Sequence, residues 1–215
     1  MKIYLNTFAS LLSKRSENSL NNAINGLFKE HNAPFWYSRI RHGVRSFFVE
    51  NLNYARLDDL LVKLEGVVPE SRFQKNDCEN SKQAVRLIQS KSFDLLAGKD
   101  MLKPAVKSVS FYGIELDVNP DAIIVWKDRE GMFHVGAIKT KLRKSAFRQE
   151  EATMIACMLR FYLETLFPDY IVEDEFCICY DAFRSRLYSV RDFTRNLILA
   201  SGLAQRIAAS SPEAA

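Results

Sequence analysis

Residues 120–142 read PDAIIVWKDREGMFHVGAIKTKL. Two apolar runs, Ala122 to Lys127 and Met132 to Leu142, flank the polar segment Asp128-Arg129-Glu130-Gly131. β-Branched and aromatic side chains suit a pleated backbone. The Asp and Gly of the middle segment suit a tight turn, the first as a side-chain acceptor and the second as a residue free to take positive φ. The stretch therefore reads as an antiparallel hairpin, with Pro120 at the start of its first strand.

Upstream, VKSVSFYGIELDV (106–118) has the same texture and reads as one further strand. Downstream, Ser145 is placed to cap a long helix with Ile155, Met158, Leu159, Tyr162 and Leu166 along one face, and Pro168 stops it. Glu175 to Asp181 reads as a fourth strand and Leu187 to Val190 as a short fifth. Asp192 opens a last helix to about Ala208, and 209–215 is a tail. The first part of the chain is helical in pattern. Leu5 to Leu12, Leu20 to Phe28 and Leu57 to Leu64 repeat apolar residues at three- and four-residue spacing. Asn18 or Ser19 can cap the second of these helices, and Pro34 ends the loop after it. Glu65 to Lys82 is polar, contains Pro69 and reads as a connection. A helix from Gln83 to Leu96 follows. The expected organisation is a helical region over 1–82 and an α/β domain over 83–208.

Composition bounds the function. The 215 residues are 47% hydrophobic and 26% charged, and Gly and Pro together fill only 14 positions, so a packed core is expected rather than disorder. No apolar run approaches the length of a membrane span. Asn6 and Thr7 interrupt the apolar start, and no small-residue cleavage site follows, so a secretory leader is not read there and the cytoplasm is the default. Cysteines stand at 78, 157, 177 and 179. The Cys177-x-Cys179 pair lies in a strand-like run with no nearby His, so buried thiols are expected, not a disulfide or zinc knuckle. His31, His42 and His134 have no partner at zinc-ligand spacing. Phosphate-loop, dinucleotide and esterase motifs are absent. The net charge of +4 is modest. However, Lys139 to Arg148 holds five basic residues and no acid, a local field suited to a polyanion. Phe35 to His42 (FWYSRIRH) interleaves aromatic and basic residues and could stack on and neutralise a nucleic-acid strand.

From Gln83 onward the order is helix, three strands, helix, strand, helix, with Pro120-Asp121 opening the second strand and a Lys-bearing third. In this the chain resembles the PD-(D/E)xK nuclease superfamily over roughly residues 83–190. The resemblance implies a restriction-endonuclease-like core, a mixed sheet of four to five strands flanked by helices. It also implies phosphodiester hydrolysis of nucleic acid, in a setting of bacterial defence or a mobile element. In that family the Asp of the dipeptide, and an acid two residues before a Lys, hold a divalent ion such as Mg²⁺ while the Lys positions the attacking water. Carboxylates on one strand face can share a hard cation, which neutralises the scissile phosphate.

Carried over residue by residue, Asp121 is the Asp of the dipeptide and Lys139 the Lys, but position 137 is Ala. Taking Lys141 as the motif Lys would put Lys139 where the acid belongs. Some members of the superfamily take the acid from the following helix, and here Glu151 shares a face with Ile155, Met158 and Tyr162, whereas Glu150 points about a hundred degrees away. Gln149 stands where some members carry a supporting Gln, but Thr153 replaces the Tyr that accompanies it. Glu115 and Asp117 are candidate further metal ligands. The expected site is thus Asp121, Lys139 and Glu151 for catalysis, Asp121, Glu151 and Glu115 for Mg²⁺, and Lys141, Arg143, Lys144 and Arg148 for the nucleic-acid backbone. Two other readings stay open because of Ala137: an inactive nuclease-like fold serving as a protein-protein or assembly module, and a small α/β regulatory domain without nuclease kinship.

Overall fold

The computed structural model describes residues 1–27, 35–142, 144 and 148–211 and, apart from those of residues 35–39 and 73, their side chains. His31, Pro34, Arg143, Ser145 and residues 212–215 lie outside the described residues. In chain order the elements are β1 (Lys2–Tyr4), α1 (Leu5–Leu12), α2 (Glu17–Leu27), α3 (Phe35–Val49), α4 (Ala55–Glu65), α5 (Arg72–Gln89) and β2 (Asp100–Leu102). Then come β3 (Ser108–Phe111), β4 (Ile114–Asp117), β5 (Ala122–Lys127), β6 (Phe133–Lys141), α6 (Gln149–Leu166), β7 (Ile171–Asp181), β8 (Arg186–Tyr188) and α7 (Phe193–Ala209).

The hairpin that decides the fold is present. β5 and β6 pair antiparallel from Ala122↔Ile138 to Lys127↔Phe133. Asp128 closes the turn by accepting the Glu130 and Met132 backbone N–H groups, and Gly131 takes φ +84°. Around this pair stands a five-stranded sheet in the order β2-β5-β6-β7-β8. β6 and β7 run parallel and need a long crossover, which α6 supplies. Gly136 sits at the register shift between these strands, where a Cβ would collide with the Phe176 side chain and carbonyl. The missing side chain lets the two backbones approach.

Both faces of this sheet are covered, which is why β5 over 122–126 and β6 over 135–138 are continuously apolar rather than alternating. On one face Ile123, Val135, Ala137, Cys177 and Cys179 pack with α1, α6 and α7. On the other, Ile124, Ile138, Ile178 and Tyr180 pack with Ile40, Val44 and Phe47 of α3 and with α4 and α5. All four cysteines are buried free thiols.

Two expectations are corrected. Residues 106–118 do not form one strand of the main sheet. Tyr112 and Gly113, both at positive φ, fold them into the hairpin β3–β4. That hairpin joins β1, parallel to β4, in a separate three-stranded sheet. Residues 65–82 are not simply a connection, because α5 already starts at Arg72, and it ends at Gln89 rather than Leu96. Ser71 caps α5 by accepting the Gln74 N–H, and Gln74 reaches back to the Glu70 N–H. The Ser71-x-x-Gln74 spacing carries that signal in the sequence. The run 35–42 belongs to helix α3. Among the described residues no helix is long and apolar enough to cross a membrane.

Candidate functional site

Asp121 precedes β5 and is tied to β6 through its own backbone, its N–H donating to the Ile138 carbonyl at 2.7 Å. Its carboxylate is 1% exposed. One oxygen, Oδ2, accepts the Thr140 N–H at 2.6 Å, and Oδ1 meets Nη1 of Arg41 at 3.3 Å. Arg41 also donates from Nη2 to the Thr140 carbonyl at 3.3 Å. One helical turn later on α3, Nη2 of Arg45 donates to Oδ1 of Asn119 (2.7 Å) and to the Pro120 carbonyl (3.1 Å). Two arginines on one face of α3 thus hold the segment 119–121.

Lys139 approaches the same segment from β6. It is 6% exposed, and its ammonium donates to the carbonyls of Val118 (2.5 Å) and Asn119 (2.8 Å). Burial, reinforced by the positive charge of Arg41, pushes its pKa down to about 7, although Asp121 and Asp117 pull the other way. Asp117, at the end of β4, is buried as well. Its Oδ2 lies 3.6 Å from Lys2, while Oδ1 has no hydrogen-bond partner among the described residues. The Nε of Arg45 is unpartnered in the same sense. The structure therefore brings Asp121 and Lys139 together, and adds Asp117, Arg41 and Arg45.

Of the other expected residues, Glu151 and Glu115 have partners of their own. Glu151, in the first turn of α6, accepts from Ser13 Oγ at 2.7 Å, and Arg148 donates to the Ser13 carbonyl. Glu115 is exposed on the three-stranded sheet, 3.2 Å from Lys2 and hydrogen-bonded by Ser108. The continuous basic surface expected from 139–148 is not formed as read. Lys139 points into the core because β6 is covered on both faces. Lys141 is half-buried, and burial lowers its pKa against the opposing pull of Asp181 and Glu151. Lys144 and Arg148 are exposed, and Arg143 lies outside the described residues. The Ser13 contacts bring in two cations that strand-by-strand reading missed, since Lys14 and Arg15 follow Ser13 and are both exposed.

Mg²⁺ asks for several oxygen ligands in near-octahedral array. Both oxygens of Asp121 are engaged by Thr140 and Arg41, position 137 offers only a methyl group, Glu151 and Glu115 are held by other partners, and Asp117 adds a single open oxygen, Oδ1. Among the described residues no group of three His, Cys, Asp or Glu is placed to hold a metal ion. In this arrangement the donor set does not fit the ion.

Arg41 and Arg45 went unrecognised as site residues because α3 was not read as a helix. Ile40, Val44, Phe47 and Phe48, all buried, carry the spacing that would have put both arginines on one face. Comparison with known proteins yields no match to a family model, a curated protein or a solved structure.

Proposed function

We propose that this chain is a nuclease-like nucleic-acid-binding protein that grips a phosphodiester backbone through side-chain cations and needs no divalent ion to do so. The reading rests on one observation above others. The Arg148–Ser13 and Glu151–Ser13 contacts bring the exposed Lys14 and Arg15 beside the exposed Arg148, joining a basic run at the end of α1 to one at the start of α6. Lys144 adds to the second run. The first turn of α6 also exposes Glu150, so the surface is mixed and its affinity should be moderate and sensitive to salt, because phosphate neutralisation releases counterions. The resemblance of Pro120-Asp121 and Lys139 to the motif residues of the nuclease superfamily supports the same substrate class, and the engaged carboxylate of Asp121 supports binding over hydrolysis.

Fluorescence anisotropy with labelled single- and double-stranded DNA and RNA, at low salt and with EDTA present, tests this. Binding should persist in EDTA and fall roughly tenfold or more in the pair Lys144→Glu and Arg148→Glu. Absence of binding at low salt would instead favour the inactive, protein-binding reading of the fold. Mg²⁺- or Mn²⁺-dependent cleavage that disappears in Asp121→Ala would restore the hydrolytic one.

A further inference from the structure

The geometry points to Arg41 as an internal cation, delivered by α3 to the Asp121 carboxylate in the place where a divalent ion would otherwise be held, so that the site is closed to metal. A carboxylate as buried as Asp121 is tolerated only when its charge is compensated. Compensation is complete without an ion: Thr140 N–H serves one oxygen and Arg41 the other. Arg41 is itself only 16% exposed, and its second nitrogen is committed to the Thr140 carbonyl, so the guanidinium bridges the start of β5 and the end of β6.

The surroundings agree. Arg45 and Lys139 take the carbonyls of Pro120, Val118 and Asn119, acceptors that could otherwise turn toward an ion. Two buried carboxylates, Asp117 and Asp121, face three basic side chains, Arg41, Arg45 and Lys139. The two arginines alone already balance the two carboxylates, so a dication placed there would have no negative charge left to neutralise. The methyl group at position 137 completes the logic. With the second strand acid missing, a single guanidinium balances the charge of Asp121, and its planar fork reaches side chain and main chain at once.

Two measurements on the full chain decide the matter, and neither involves nucleic acid, so their failure is distinguishable from a failure of nucleic-acid binding. Calorimetric titration of the wild type with Mn²⁺ and with Mg²⁺ should show no saturable binding, and neither ion should raise the melting temperature. Saturable Mn²⁺ binding that disappears in Asp121→Asn would overturn the inference. The second measurement is a thermal double-mutant cycle. Arg41→Gln strands a buried carboxylate and Asp121→Asn strands a buried guanidinium. Each should lower the melting temperature, and the double variant should lose clearly less than the two single losses added together. Simple additivity would show that the two groups do not compensate one another. Should Arg41→Gln fail to fold, Arg41→Lys serves in its place, keeping the charge but losing the bridge. It should melt below the wild type with no response to Mn²⁺. A Mn²⁺-dependent rise in the wild type but not in Asp121→Asn would again refute the proposal.

Discussion

At the scale of single residues, two titratable groups, one buried and one partly so, pull the pH dependence of stability in opposite directions. Lys139 has its folded-state pKa lowered from 10.5 to about 7, chiefly by burial. Between those values the unfolded chain binds more protons than the folded one, so this residue makes stability rise with pH. Its contribution is fully present above the ordinary lysine value and gone below about 7. His134 lies between Asp128 (3.1 Å) and Glu173 (2.8 Å) and stacks on Trp126. The hydrogen bond it donates to Asp128 first, and that to Glu173 after it, raise its pKa above 6.5 despite partial burial. Its contribution is fully present below the ordinary histidine value and is lost as pH climbs through the raised one. Denaturant unfolding from pH 6 to 10 should therefore show a rise above neutrality, with a slope approaching ~1.4 kcal/mol per pH unit, that vanishes in Lys139→Met. His134→Gln should remove the loss near and above pH 6.5. A Lys139→Met curve parallel to the wild type would mean that the ammonium is not buried as described.

At the scale of elements, α5 shows how a short polar signal sets a boundary that hydrophobic periodicity blurs. Residues 72–82 (RFQKNDCENSK) look like a linker because charge and amide groups crowd them, yet they form the first turns of an 18-residue helix. The start is set by Ser71, whose extended backbone and side-chain oxygen satisfy the Gln74 N–H. Cys78, Ala84, Val85 and Ile88 then supply the buried face. Ser71→Ala should cost about 1 kcal/mol in equilibrium unfolding, a value typical of a lost N-cap. Ser71→Asp should retain most of the stability, since Asp accepts the same hydrogen bond and favours a helix start. If Ser71→Ala is neutral, the helix is held by its packing alone.

At the scale of the whole molecule, the expected division near residue 82 runs through both cores. The N-terminal strand β1 completes the three-stranded sheet, and α1 packs with α6 under the main one. Helices α3 to α5 cover its opposite face, where Ile124, Ile138, Ile178 and Tyr180 would otherwise meet water. A fragment comprising residues 83–211 alone would lose α3 and α4 and expose much of that apolar face, and burial of such area is the main favourable term in folding. It should show weak near-ultraviolet circular dichroism and little protection from hydrogen exchange. Co-expression with residues 1–82 should restore both. Cooperative unfolding of the isolated fragment would instead establish it as a domain in its own right.

The sequence by itself determined the hairpin of 120–142, the helix crossing from β6 to β7, the buried thiols and the last helix, because each is written in local periodicity and turn chemistry. It also put Asp121 and Lys139 at one end of one sheet, since antiparallel pairing across a short turn leaves little freedom of register. Only the tertiary structure decided what those two residues do there. Whether a buried carboxylate keeps its oxygens free for an ion or gives them to a guanidinium depends on which helix packs beside it, and Arg41 comes from 80 positions upstream. The same holds for Ser13, which is joined to Arg148 and Glu151 across more than 130 positions. Contacts of that range leave no periodic trace in the chain. They are fixed when the helices close over the sheet and every buried charge must find a partner.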